Sequence, residues 1–161
     1  MKLVQKTSLK NQLLETRKKS LDAIFSIEHR LEFFSKLNGK LWVNDSKSTD
    51  VEATAFSLEN MDGPVLWIVG QTKNERNLDV IYDLVISKVD EIIYYGQHET
   101  NLKYKFGSKV KYTQISDIKN AVNMAMLNET QNLTVLFSPA CSSFPTHENY
   151  KLRGDYFKSL I

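Results

Sequence analysis

Pro64-Val65-Leu66-Trp67-Ile68-Val69-Gly70 is the stretch that decides the fold. Its five apolar residues show no polar alternation. They are also far fewer than the ~18 a membrane-spanning helix requires. A strand buried on both faces reads this way, and such strands sit inside mostly parallel sheets covered by helices. Three further runs downstream look alike: Glu91 to Tyr95, closed by Gly96; Val110 to Thr113; and Leu133 to Phe137.

Helical spacing separates these runs. Leu78, Ile81, Leu84 and Val85 mark a helix over Leu78 to Lys88. Glu99 to Phe106 reads as a short helix. Ile115 to Leu127 carries Ile118, Val122, Ala125 and Met126 inward, with Ser116 or Asp117 near its start. Upstream, Thr49 to Met61 reads as a helix opened by Thr49 and Glu52 in capping-box spacing and stopped by Asp62-Gly63-Pro64. A last helix is expected over Pro145 to Ile161, with Tyr150, Arg153 or Gly154, Phe157 and Ile161 along one side. Strand–helix alternation of this kind predicts an α/β fold, a mostly parallel sheet with helices on both faces. Leu31 to Leu37 and Lys40 to Val43 flank Asn38-Gly39, a hairpin signal. The sheet should therefore carry an N-terminal β-hairpin at its edge.

Residues 1–26 differ from the rest. They contain no Gly or Pro and are rich in Lys, and an apolar stripe at Leu14, Leu21 and Phe25 predicts an amphipathic helix over Ser8 to Phe25. The expected organisation is thus a helical segment, 1–26, followed by one domain, 27–161. At 161 residues, 42% apolar and 25% charged, the chain has the mix of an ordinary globular domain. Cys141 is its single cysteine, so no internal disulfide can form and a cytoplasmic setting is expected. A net charge of +2 argues for neither nucleic acid nor membrane as a partner.

In open α/β sheets ligands bind beyond the carboxyl ends of the strands. Three loops lie there: Asn44 to Thr49, Gly70 to Asn77, and Ser138 to Phe144. In the first, Lys47, the hydroxyls and a helix start could hold an anion, or Thr49 could simply cap the helix. In the second, Lys73 or Arg76 could reach a carboxylate or phosphate. In the third, Cys141 lacks an identifiable base and reads as structural. His29, His98 and His147 show no metal-ligand spacing, so no metal site is expected. Neither G-x-x-x-x-G-K-[ST] nor G-x-G-x-x-G occurs, so no triphosphate cradle is recognisable.

Four pieces in order carry a resemblance: Glu28-His29-Arg30-Leu31-Glu32; Asn44-Asp45-Ser46-Lys47-Ser48-Thr49; Gly70 to Lys73; and Ser138-Pro139-Ala140-Cys141-Ser142-Ser143-Phe144, running on to Asn149-Tyr150 and Arg153-Gly154. Together they resemble the C-terminal domain of the Mur ligases, over about Ile27 to Ile161. The branch nearest in pattern adds D-glutamate to UDP-N-acetylmuramoyl-L-alanine in peptidoglycan synthesis. The resemblance implies a Rossmann-like domain that binds the incoming amino acid. In the complete ligase ATP, with Mg2+, activates a carboxylate as an acyl phosphate, which the amine of D-glutamate then attacks. It implies Arg30 and Asp45 as ATP contacts and Lys47 as the catalytic lysine near the phosphate. It implies Thr49, Lys73, Ser143, Phe144 and Tyr150 as D-glutamate contacts. The family's second loop reads G-G-x-D-K-G, whereas here it is Gly70-Gln71-Thr72-Lys73-Asn74-Glu75, so either Lys73 or Arg76 stands for its lysine. The P-loop and UDP-substrate domains have no counterpart in these residues. The chain alone is therefore expected to be inactive and to bind no cofactor tightly. The alternatives are a stand-alone, diverged, non-catalytic module of the same fold, or an interaction protein docking through its basic N-terminal helix.

Overall fold

The computed structural model describes residues 26–71, 75–98 and 100–161, with six isolated positions (12, 15, 16, 19, 20 and 23) ahead of them. The helix expected over Ser8 to Phe25 lies outside the described residues apart from those positions. The hairpin forms as Asn-Gly dictates: β1 (Glu32–Leu37) pairs antiparallel with β2 (Lys40–Asn44) around Asn38 and Gly39, whose φ values are 51° and 73°. Both residues types tolerate the left-handed region such a turn demands.

After β2 come α1 (Val51–Glu59), β3 (Val65–Gly70), a 3-10 turn (Leu78–Ile81) leading into α2 (Tyr82–Lys88), and β4 (Val89–Tyr95). Then follow α3 (Asn101–Phe106), β5 (Lys111–Ile115), α4 (Ile118–Leu127), β6 (Thr134–Phe137) and α5 (Tyr150–Ser159). The strand order is β1-β2-β6-β3-β4-β5, and every pair except β1–β2 is parallel.

The deciding strand is buried at all six positions, and its two sides serve two cores. Val65, Trp67 and Val69 pack with Val51 and Leu58 of α1, Ile81, Val85 of α2 and Phe106 of α3. Leu66 and Ile68 pack on the other face with Ile118, Val122 and Ala125 of α4 and Phe157 of α5. An uninterrupted apolar run is what two-sided burial selects.

Several helix starts differ from expectation; α4 opens at Ile118 behind the Asp117 cap, and Ile115, expected in that helix, ends β5. Helix α1 is capped by Asp50, not Thr49: the Asp50 carboxylate accepts from Ala53 N at 2.8 Å. The 78–88 segment opens as a 3-10 turn, with Asn77 Oδ1 accepting from Asp79 N. Helix α5 starts at Tyr150 rather than Pro145, because Asn149 Oδ1 accepts from both Lys151 N and Leu152 N, at 2.9 and 3.0 Å. Those bonds satisfy the first free amides of a helix end. They leave residues 138–149 as one long strand-end loop.

Candidate functional site

Asp45 sits where β2 ends. It is fully buried, and its Oδ1 accepts from Leu31 N at 3.2 Å. Its Oδ2 takes three hydroxyls: Ser48 and Ser57 at 2.5 Å and Ser138 at 2.9 Å. Burial pushes the carboxyl up from its usual value, against the hydrogen bonds that pull it down. Both oxygens face protein, so Asp45 ties the first loop to the third and presents no oxygen outward.

Lys47 is half-buried in the same loop. Its Nζ donates to the Tyr150 hydroxyl at 3.2 Å and lies 5.0 Å from the centroid of that ring. The Tyr150 carbonyl accepts from Ser46 Oγ at 2.8 Å, so the start of α5 is anchored on this loop. Thr49 is exposed, Asp50 caps the helix in its place, and the Thr49 hydroxyl makes no hydrogen bond among the described residues. Arg30 is half-buried, and its guanidinium makes no hydrogen bond or ion pair among the described residues.

Ser143 and Phe144 fall in a different place. They line a cleft of about 730 Å³ together with Tyr95, Asp117, Arg153 and Tyr156. Phe144 is 75% exposed there. The cleft has a size typical of small-molecule sites. The expected residues therefore fall into two groups, Lys47 with Tyr150 and Ser143 with Phe144. Lys73 lies outside the described residues.

Arg153 joins the groups. It is 2% exposed, donates through Nε to Ser46 Oγ (3.0 Å) and Nη2 to Ser46 O (2.7 Å), and through Nη1 to Cys141 O (2.9 Å). Ala140 adds a second link, its amide donating to Ser48 O at 3.0 Å. Arg76 does not reach outward as a substitute for the family's lysine. It is buried, with Nε donating to Ala140 O at 3.2 Å and Nη2 to Gly70 O and Pro139 O. Cys141 is buried too, and burial raises its thiol despite Arg153 and Arg76 nearby, which fits a structural cysteine.

Periodicity could not show the role of His29. It is fully buried, and Asn44 Nδ2 donates to its Nδ1 at 2.8 Å, which places the ring proton on Nε2. That nitrogen faces Glu28 and Asp155 at 3.7 and 3.8 Å, a grouping whose donor atoms lie within 4.8 Å of one another. Lys158 supplies the counter-charge, 3.5 Å from Asp155 and 3.1 Å from Glu32. Gly154 makes room for the ring, since a Cβ at that position would overlap His29 Nδ1.

No family model matches the chain. It is 37% identical over 159 residues, 96% of its length, to a UDP-N-acetylmuramoylalanine–D-glutamate ligase of Christiangramia forsetii. It is 34% identical over 148 residues, 91% of its length, to the enzyme of that name in Porphyromonas gingivalis. It spans 36% and 33% of those two proteins, about a third of the curated relatives it matches. Among solved structures, the bifunctional folylpolyglutamate synthase/dihydrofolate synthase of Yersinia pestis superposes over 84% of the chain with a TM-score of 0.57 at 17% identity, covering 31% of that structure. The murein peptide ligase of Psychrobacter arcticus superposes over 83% with a TM-score of 0.54 at 12% identity, covering 30%. These two likenesses speak for the fold.

Proposed function

The chain belongs to the Mur ligase family as a C-terminal domain, and from that premise we propose that it binds the incoming amino acid for a D-glutamate-adding ligase. The whole protein would join D-glutamate to UDP-N-acetylmuramoyl-L-alanine, using ATP and Mg2+, in a cytoplasmic setting. Among the described residues no helix is long and apolar enough to cross a membrane. The role of this domain is to hold a dicarboxylate and orient its amine. Lys47, Thr49 and Tyr150 would grip one end, and Ser143 with Phe144 the other. Arg30 and Lys47 are the cations available to a nucleotide phosphate. Asp45, enclosed by protein donors, serves by shaping the loop.

The observation that carries this reading is the bracing of the two groups by Arg153, which bonds Ser46 next to Lys47 and Cys141 two residues before Ser143. A rigid link between two halves of a site limits the ordering that binding would otherwise require. An amide NMR titration with D-glutamate, and L-glutamate as control, tests it. Shifts at Lys47, Thr49 and Ser143 with the D enantiomer alone are expected. Equal response to both enantiomers would reduce the site to a generic anion binder.

A second reading, the diverged stand-alone module, is favoured by one observation. Arg76 is turned inward, so the described part of the 70–77 loop offers the cleft no exposed cation. No response to either enantiomer, in this chain or in one joined to a P-loop domain of a relative, is the outcome that supports it.

A further inference from the structure

Arg76 and Arg153 are 8% and 2% exposed, and no carboxylate among the described residues pairs with either. Buried charges are ordinarily paired. Here both guanidinium groups are held by main-chain carbonyls, one serine hydroxyl and the Cys141 sulfur. They grip neighbouring carbonyls of a single turn: Arg76 those of Pro139 and Ala140, Arg153 that of Cys141. Arg76 Nη1 is itself buried and has no hydrogen-bond partner among the described residues. Desolvation lowers the Arg76 guanidinium from its usual value, the mark of a charge lacking compensation.

The turn needs the grip. Ala140 has φ 51°, a left-handed conformation that a residue with a Cβ adopts only when its surroundings hold it there. Its amide is fixed by Ser48 O and its carbonyl by Arg76 Nε. The same arginine donates to Gly70 O at the end of β3, and Gly70 N donates to Pro139 O at 2.9 Å. Arg76 thus ties the ends of β3 and β6 together and sets the direction in which residues 141–143 enter the cleft.

We infer that Arg76 is a positioning residue for anion binding: without lining the cleft itself, it holds the Pro139–Ala140 turn that carries Ser142 and Ser143 into it beside Arg153, so that these groups meet an anion across from Asp117. The inference rests on the proposed reading of the cleft as a carboxylate site, and it adds a role for a residue that touches no ligand. A mutated clip alone would alter stability. A field would alter the preference for charge.

The test is a titration of the full chain with inorganic sulfate, followed by amide NMR, in wild type, Arg76→Met and Arg76→Lys. Wild type should show saturable shifts at Ala140 to Ser143. Arg76→Met should weaken sulfate binding by about tenfold, and Arg76→Lys, which keeps the charge but cannot span three carbonyls, by less than about threefold with displaced Gly70 and Ala140 resonances. Should Arg76→Met not fold, the lysine variant decides alone: unchanged Gly70 and Ala140 resonances would overturn the clip. Equal sulfate affinity in wild type and Arg76→Met, or no sulfate response in wild type, would overturn the inference. D-Glutamate is titrated in parallel. Sulfate binding without D-glutamate binding would remove the acceptor reading and leave the role of Arg76 standing.

Discussion

The Lys47 ammonium lies 3.2 Å from the hydroxyl of Tyr150, a residue 103 positions later, and 5.0 Å from the centroid of its ring. The two contacts are separable. Tyr150→Phe removes the hydrogen bond and keeps the face of the ring, whereas Tyr150→Ala removes both. A cation over an aromatic face is worth about 0.5–1 kcal/mol at a partly exposed site. Tyr150→Phe should therefore weaken D-glutamate binding by about threefold and Tyr150→Ala by about tenfold or more. Isothermal titration on both variants checks this, and equal losses would mean the ring contributes nothing.

Asp45 governs a second expectation, about stability. Removing its carboxylate in Asp45→Ala leaves the buried Ser48 hydroxyl and the Leu31 amide without this partner and takes one of two partners from Ser57 and Ser138, and should cost about 3 kcal/mol in denaturant unfolding. Its pH dependence has a definite sign. Burial raises this carboxyl in the folded state, so the native chain holds the proton more tightly than the unfolded one. Stability contributed by Asp45 then falls as pH climbs from the ordinary aspartate range through the raised native value. Asp45→Asn should abolish that slope while keeping the shape of the side chain.

Glu32 runs the other way. Burial alone would raise it, but hydrogen bonds from Lys158 and Asn44 outweigh burial and hold it below the usual range. Its contribution is present above the usual glutamate range and is lost as pH falls through the lowered folded value. Glu32→Gln should lower stability at neutral pH, converge with the wild type in acid, and so flatten the acid limb of the stability curve. Thermal melts between pH 3 and 7 check it.

How far the sequence could be read follows from what periodicity encodes. The run Val65 to Val69 announced a central strand because both of its faces are buried, and Asn38-Gly39 announced the hairpin because the turn demands left-handed backbone. The capping box failed because Asp50, one residue beyond Thr49, is an equally good cap and lies closer to the helix. Pro145 looked like a helix start, yet Asn149 provides the cap. The three strand-end loops were visible as polar stretches. Their interior was not: Asp45 was expected to touch ATP, Arg76 to reach for a carboxylate or phosphate, and Arg153 stood only as one of two candidates for a helix side, and only contacts such as Asp45–Ser138, 93 residues apart, show them to be buried braces. No local pattern distinguishes a polar residue that meets water from one that meets a distant carbonyl.

Gly154 offers the sharpest single substitution. It lies in the middle of α5, where Gly is ordinarily less favourable than Ala by about 1 kcal/mol. A helix optimised for itself would gain from Gly154→Ala. Here a Cβ would run into the His29 ring and approach Asn44 Nδ2 to 3.0 Å. His29 cannot easily retreat, because its carbonyl accepts from Lys47 N at 3.0 Å and its ring from Asn44. Overpacking of this kind costs about 1–3 kcal/mol, so the net effect should be destabilising in denaturant unfolding despite the better helix former. The displaced backbone of His29 should also move the amide of Lys47, and with it the ammonium that rests on Tyr150. A stabilised Gly154→Ala with an unmoved Lys47 amide would show that the His29 packing does not constrain the first loop.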